Sequence, residues 1–107
     1  YCSAKHAVLG LSKVLAREYA HEGIRCNVVC PGFVETDMMS SERLDEWADS
    51  LGIDRRQLVK EVIYRTTPQG RFVTARSVAQ MATYLLSDAA ADITGQSFNV
   101  SCGIGDY

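Results

Sequence analysis

Residues 24–36 have the sequence IRCNVVCPGFVET, and this stretch decides the fold class. Its first seven residues are nearly continuously apolar instead of alternating between apolar and polar side chains. Such a pattern is typical of a parallel strand that is covered on both faces by helices. Pro31 then interrupts the strand, because proline has no N–H to donate to a ladder. We therefore predict a buried parallel strand over residues 24–30.

Helical patterns flank this strand on both sides. Apolar residues recur every three or four positions up to Tyr19, which predicts a first helix that ends at Gly23. A second clear helix is predicted from Thr74 to about Asp88, and a last strand over residues 96–101. The apolar stripes consist of Ala4, Ala7, Val8, Leu11, Leu15 and Tyr19 in the first helix, and of Val78, Met81, Ala82, Leu85 and Leu86 in the second.

The middle of the chain predicts two short helices. Ser40 or Ser41 can cap the first of them, and Gly52 can end it. Asp54 and Gln57 have the spacing of a capping box at the start of the second.

The order of helix, strand, two short helices, helix and strand is an alternating α/β pattern with parallel crossovers. Two strands make a poor sheet, and the strand over residues 24–30 needs neighbours on both edges. We therefore expect the remaining strands upstream, so that the 107 residues form the C-terminal part of one larger domain.

Tyr1 and Lys5 form the first candidate site, in the sequence YCSAK. Residues four apart share one face of a helix, about 6 Å apart along its axis. A free phenol holds its proton too tightly for efficient base chemistry near neutral pH, and a nearby ammonium stabilises the phenolate. The pair is therefore a plausible proton-transfer couple, although the same spacing also occurs in ordinary surface pairs.

The turn that follows the first strand is the second candidate site. Ligands of open α/β sheets bind beyond the carboxyl ends of the strands. Pro31-Gly32 is a turn that allows close approach of a ligand to the backbone, and Thr36 adds a hydroxyl group. A simple strand-ending turn remains the alternative.

Composition excludes several other classes of function. A formal net charge of −2 without a basic stripe makes nucleic acid a poor partner. No apolar run is long enough for a membrane span. The four cysteines match no zinc spacing, and His6 and His21 do not complete a metal site. Reduced cysteines are typical of a cytoplasmic protein, and we expect no metal.

Three motifs in this order resemble the short-chain dehydrogenase/reductase family. They are YCSAK at residues 1–5, IRCNVVCPGFVET at 24–36 and GRFVTARSVAQMATYLLSDAAADITGQSFNV at 70–100. The resemblance implies a Rossmann-type, doubly wound parallel sheet with three α/β/α layers. It also implies hydride transfer between NAD or NADP and an alcohol or carbonyl.

The same resemblance assigns roles to the candidate residues. Tyr1 would give a proton to the carbonyl in reduction and act as base in oxidation, and Lys5 would hold the nicotinamide ribose. Pro31, Gly32, the backbone of Val34 and the hydroxyl of Thr36 would hold the nicotinamide end. The family's glycine-rich loop and its catalytic serine and asparagine are expected upstream, as are the residues that separate NAD from NADP.

Residues 37–71 correspond to the substrate lid of the family. Its apolar side chains suit an acyl or polyketide chain, and Phe33, Met38 and Met39 are candidate substrate contacts. Packing of the lid onto the domain is an equally good explanation for such side chains. PGFVETDM at 31–38 and CGIGDY at 102–107 resemble 3-oxoacyl-carrier-protein reductases and polyketide ketoreductases.

Two alternatives remain open at this point. SLGIDRRQLVKEV at residues 50–62 is similar to 3-hydroxybutyrate dehydrogenases, so a secondary-alcohol or sugar dehydrogenase is the second choice. A non-catalytic binding or structural partner with the same fold is the third, and the intact Tyr1 and Lys5 argue against it. Family members commonly pair helices across two-fold axes, so we expect a homotetramer, or else a homodimer, at full length.

Overall fold

The computed structural model describes residues 1–39 and 41–105, with the backbone alone at Met38 and Ser41. The chain divides into two compact units. The first contains Tyr1–Cys30 and Ala79–Phe98, and the second contains Pro31–Val78 and the chain from Asn99 onward. The helices are α1 (Cys2–Tyr19), α2 (Ser41–Ser50), α3 (Arg55–Gln57) and α4 (Ala75–Leu86), and the strands are β1 (Val28–Pro31), β2 (Val34–Glu35), β3 (Val73–Thr74) and β4 (Ser97–Val100).

In the first unit, β1 starts four residues later than predicted. Its partner in a two-stranded sheet is β4, and the Val28 N–H donates to the Gln96 carbonyl at 2.8 Å. The prediction of strand from residue 24 is wrong because the preceding residues bond to a turn. The Cys26 N–H donates to the Thr94 hydroxyl at 3.1 Å, and the Asn27 amide donates to the Ile93 carbonyl at 2.8 Å.

Helix α1 is confirmed, and its buried face is narrow. A short 3₁₀ turn over Ala20–Glu22 follows it, and Gly23 with φ 76° ends the helical segment. Ser12 and Ala16 are buried, and Ala16 packs beside Gly95. The apolar stripe itself is 37–59 % exposed among the described residues, at Val8, Leu11, Leu15 and Tyr19.

Helix α4 is also confirmed, and Arg25 closes its C-terminal end. The Thr74 hydroxyl accepts from the Ser77 N–H at 3.1 Å, as an N-cap does. At the other end the Arg25 guanidinium donates to the carbonyls of Leu85, Ser87 and Ala90. Leu85 is buried, whereas Leu86 is 82 % exposed, so the predicted stripe ends one residue earlier.

The second unit contains a strand pair that the sequence does not predict. Strands β2 and β3 are parallel, with Val34 opposite Val73 and Glu35 opposite Thr74. The Val73 N–H donates to the Phe33 carbonyl at 2.8 Å. Because this pairing involves two residues on each side, it leaves no periodic signal in the sequence.

The core of the second unit lies in the middle segment. Its fully packed residues are Leu44, Ala48, Leu58 and Ile63. The capping box at the start of α3 is confirmed: the Asp54 carboxylate accepts from the Gln57 N–H at 2.8 Å, and the Asp54 N–H donates to the Gln57 side chain at 3.1 Å. The proposed cap at Ser40 lies outside the described residues.

Helix α3 continues directly into a π-helix over Leu58–Tyr64. The hydrogen bonds of a π-helix join residues five apart, so such residues lie above one another. Leu58 and Ile63 have this spacing, and both are 0 % exposed. In an α-helix, five residues turn the chain by about 140° beyond one full turn, and the two side chains would not share a face.

No helix in the described part of the chain has both the length and the apolar character needed to cross a membrane.

Candidate active site

Tyr1 and Lys5 lie on one face at the start of α1. The Lys5 N–H donates to the Tyr1 carbonyl at 3.0 Å, so Tyr1 is already part of the first helical turn. The Lys5 ammonium lies 5.5 Å from the centroid of the Tyr1 ring. An ammonium at this distance over an aromatic face is attracted by the ring. The helix therefore brings a phenol and an ammonium together, as the spacing predicts.

The Tyr1 side chain is 94 % exposed, and the neighbouring α1 residues through Val8 are exposed too. Among the described residues nothing encloses the phenol.

The turn at Pro31-Gly32 continues from β1. The Gly32 N–H donates to the Val100 carbonyl at 3.1 Å. A Cβ atom at Gly32 would lie 2.9 Å from the Ser101 Cα and 3.0 Å from the Ser101 carbonyl oxygen. The backbone approach that requires glycine here is therefore made by Ser101, in the segment after β4.

Val34 and Thr36 follow this turn. Val34 is half-buried in β2, and Thr36 is exposed. The Thr36 carbonyl accepts from the Met39 N–H at 2.8 Å, which starts the 3₁₀ turn Asp37–Met39. This bond orients the start of the middle segment and leaves the Thr36 side chain on the surface.

Two of the three candidate substrate residues pack against the core of the middle segment. Phe33 and Met39 contact the cluster built on Leu44 and Ile63. The Phe33 ring also lies 6.0 Å from the Trp47 ring, between centroids. These contacts explain the apolar character of both residues without a ligand. The third candidate is Met38, whose side chain is outside the described part of the structure.

The candidate residues thus fall into two groups. Tyr1 and Lys5 belong to the first compact unit, and Pro31 through Met39 belong to the second. Within each group the local geometry is defined by the hydrogen bonds given above.

Each histidine ring lies beside one polar group. All four cysteines are free thiols. The His6 ring lies 3.0 Å from the Cys2 carbonyl, and the His21 ring lies 3.7 Å from the Glu22 carboxylate. Over residues 1–39 and 41–105, no group of three or more metal-ligating side chains comes together.

The middle segment carries a second surface that the sequence motifs do not predict. We call it the cationic groove. It is formed by Leu44, Arg55, Arg56, Val59, Lys60 and Tyr64. Arg56, Lys60 and Tyr64 follow one another at intervals of four residues, so a search for basic and aromatic residues at helical spacing would have found part of it.

Comparison with known proteins identifies the family. The family described as enoyl-(acyl carrier protein) reductase matches residues 1–105. One relative, from Streptomyces violaceoruber, is assigned as ketoacyl reductase 1 of the granaticin polyketide synthase. It is 42 % identical over the whole of this chain, and the match covers 39 % of the relative's own length. A D-β-hydroxybutyrate dehydrogenase of Rhizobium meliloti is 38 % identical over 96 % of this chain and 40 % of its own length.

A solved structure gives the same result. It is a variant of actinorhodin polyketide ketoreductase, crystallised with NADPH, and it is 39 % identical to this chain. The two superpose with a TM-score of 0.90, and the match covers the whole of this chain and 40 % of the solved one. The chain belongs to the short-chain dehydrogenase/reductase family. The predicted α/β fold of the Rossmann type is confirmed. The chain spans about 40 % of the length of these relatives.

Proposed function

We propose that the protein is an NAD(P)-dependent oxidoreductase that interconverts a carbonyl and an alcohol. The observation that carries this proposal is the Tyr1–Lys5 pair on one face of α1, with the ammonium 5.5 Å from the ring centroid. Family membership gives the pair a chemical context that the spacing alone does not supply.

Tyr1 is the proposed proton donor in reduction and the base in oxidation. Proton transfer by a positioned side chain stabilises the charge that develops on the substrate oxygen. Lys5 supplies the positive charge that stabilises the phenolate after the proton has left. Its ammonium is also a hydrogen-bond donor for the hydroxyl groups of a ribose.

The proposed cofactor is NAD or NADP, and the family resemblance assigns donors on this chain to its nicotinamide end. Lys5 would hold the ribose, and the backbone at Val34 and the exposed Thr36 hydroxyl would hold the carboxamide side. When bound, the nicotinamide supplies or accepts the hydride. Pro31 and Gly32 would act by placing the turn, because the Gly32 N–H already bonds to Val100.

The proposed substrate is a 3-oxoacyl or polyketide chain, free or attached to a carrier. Ketoacyl and polyketide reductases among the relatives support this choice. Phe33 and Met39 lie beside the apolar core of the middle segment. Phe33, Met38 and Met39 stay candidate contacts within this proposal.

The second candidate function is oxidation of 3-hydroxybutyrate or another secondary alcohol. The identity to the Rhizobium meliloti D-β-hydroxybutyrate dehydrogenase favours it specifically. A non-catalytic partner with the same fold is the third candidate, and the pair at Tyr1 and Lys5 argues against it.

An assay of the full-length protein separates these candidates. Oxidation of NADPH or NADH is followed with a 3-oxoacyl thioester, and reduction of NAD or NADP with 3-hydroxybutyrate. We expect the largest kcat/KM for the thioester. A larger kcat/KM for 3-hydroxybutyrate would select the second candidate, and no turnover with either substrate or other carbonyl compounds would support the third.

We also propose a cytoplasmic protein that assembles as a homotetramer, with a homodimer as second choice. The free cysteines suit a reducing compartment. The wide exposed stripe of α1 supplies an apolar helix face for association. Light scattering at micromolar concentration tests the assembly, and a monomeric mass would contradict it.

A further inference from the structure

The cationic groove has the size of a small-molecule site. Its cavity volume is about 560 Å³, within the range of about 300–1,000 Å³ that is usual for ligand pockets. Leu44 on α2 is 9 % exposed, and Val59 is half-buried. Tyr64 is 41 % exposed, with its ring edge-on to the Phe72 ring at 5.9 Å between centroids. The groove therefore has apolar walls that solvent can still reach.

Three cations surround this apolar surface, and among the described residues no carboxylate lines it. They are Arg55, Arg56 and Lys60. The Arg55 guanidinium lies 3.5 Å from the Asp45 carboxylate, and the Lys60 ammonium lies 3.7 Å from the Glu61 carboxylate. Both pairs are largely exposed, and such pairs contribute little, so an incoming anion can compete for these cations. The positive charge is local, because the chain as a whole carries −2.

Tyr64 lies four residues after Lys60 and eight after Arg56, so helical spacing brings these side chains to one face of the groove. Val59 and Tyr64 are five residues apart, like the buried pair Leu58 and Ile63. The π-helix therefore presents one pair to the core and the neighbouring pair to the groove. Short π-helical segments are frequent at functional sites, although they are costlier than continuous α-helix.

We propose that the cationic groove binds a single amphipathic anion, an alkyl chain that ends in a phosphate or carboxylate. The chain would lie on Leu44, Val59 and Tyr64. Arginine binds phosphate and carboxylate oxygens in a forked geometry, so Arg56, with Lys60 beside it, would hold the head group. This proposal does not depend on the catalytic assignment of Tyr1 and Lys5.

Other anionic partners fit the groove less well. A nucleic acid would need a continuous basic stripe, and the net charge of −2 opposes it. An acidic protein surface would need a broad positive field. Here carboxylates pair with two of the three cations, so the field is confined to the groove.

The test is calorimetric titration of the full-length protein with dodecyl phosphate below its micelle concentration. We expect saturable one-to-one binding. Dodecanol and inorganic phosphate should each bind at least about 10-fold more weakly, because each offers half of the recognised chemistry. The double variant Arg56→Gln/Lys60→Gln should weaken dodecyl phosphate binding by at least about 10-fold.

A matched control is available on the same segment. Arg65 carries the same charge, its side chain is 80 % exposed, and it pairs with Glu61 outside the groove lining. Arg65→Gln should leave the affinity for dodecyl phosphate unchanged. All of these variants replace exposed charges, so the fold is retained and can be checked by circular dichroism.

Four results would overturn the proposal. They are no binding of dodecyl phosphate, equal binding of dodecanol, unchanged affinity in the double variant, and binding only to vesicles of anionic phosphatidylglycerol. A lower mass of the double variant in light scattering, together with no binding of dodecyl phosphate, would instead identify the groove as an interface between copies of the chain.

Discussion

At the scale of single residues, the sequence predicts the turn at Gly32 but not the residue that makes glycine necessary there. The Pro-Gly pair indicates a turn in which the backbone comes close to something. The structure identifies the neighbour as Ser101, whose Cα would lie 2.9 Å from a Cβ at Gly32. The sequence could not supply this neighbour because Gly32 and Ser101 are far apart along the chain.

Gly32→Ala should lower the free energy of unfolding by about 1–3 kcal/mol, since the added methyl group meets backbone atoms that cannot rotate away. Gly10→Ala is the matched control. Gly10 lies inside α1, and among the described residues nothing comes within 4 Å of an added Cβ. That variant should stabilise the protein by about 0.5–1 kcal/mol, because alanine favours helix. Urea denaturation of both full-length variants measures the difference, and equal stabilities would contradict the explanation.

At the scale of elements, the sequence predicts features that depend on neighbouring residues, but not features that depend on contacts between distant residues. The capping box at Asp54 and Gln57 depends on residues three apart, so the sequence contained it in full. The π-helix that follows depends on burying Leu58 and Ile63 in the same core, which is a tertiary effect. The start of β1 was missed for a similar reason, because Thr94 bonds to Cys26 across a long separation in sequence.

Arg25 makes an element-scale prediction possible. Its guanidinium satisfies carbonyls at the C-terminal end of α4 and in the turn after it. The Leu85 carbonyl lies in the last turn of α4, where carbonyls have no partner within the helix. The Ser87 and Ala90 carbonyls also accept from the Ala90 and Ile93 N–H groups, so Arg25 adds a second bond to each. Hydrogen bonds to charged groups contribute about 1.5–3 kcal/mol each. Because the bonds share one partly exposed side chain, we expect Arg25→Ala to destabilise the protein by about 2 kcal/mol in total.

Arg25→Lys is the conservative comparison for this prediction. One ammonium cannot reproduce the planar fork, so the lysine variant should recover only part of the stability. Chemical denaturation of both variants tests the idea. Full stability of Arg25→Ala would show that water replaces the guanidinium at this helix end.

At the scale of the whole molecule, the sequence predicted the family and the class of fold, and the comparisons confirm both. The sequence does not predict which residues contact the apolar stripe of α1. Val8, Leu11 and Leu15 are at least 37 % exposed among the described residues. The sheet formed by β1 and β4 has two strands, and small two-stranded sheets are marginally stable in water.

Residues 1–107 expressed alone should therefore be partly unfolded or aggregated. They should also bind neither NADH nor NADPH with useful affinity. Exposed apolar surface and unpaired strand edges both favour association between chains. Thermal unfolding and cofactor titration check this expectation. A soluble monomer with one cooperative transition and micromolar cofactor affinity would contradict it.

The central claim is that Tyr1 transfers the proton, and Tyr1→Phe in the full-length protein tests it most directly. The variant removes one oxygen atom and keeps the ring beneath the Lys5 ammonium. We predict that kcat falls by about 10²–10⁴-fold while cofactor affinity stays within about two-fold of the original. Tyr19→Phe, on the same helix, should leave kcat unchanged. A Tyr1→Phe protein with near-normal kcat would contradict the account.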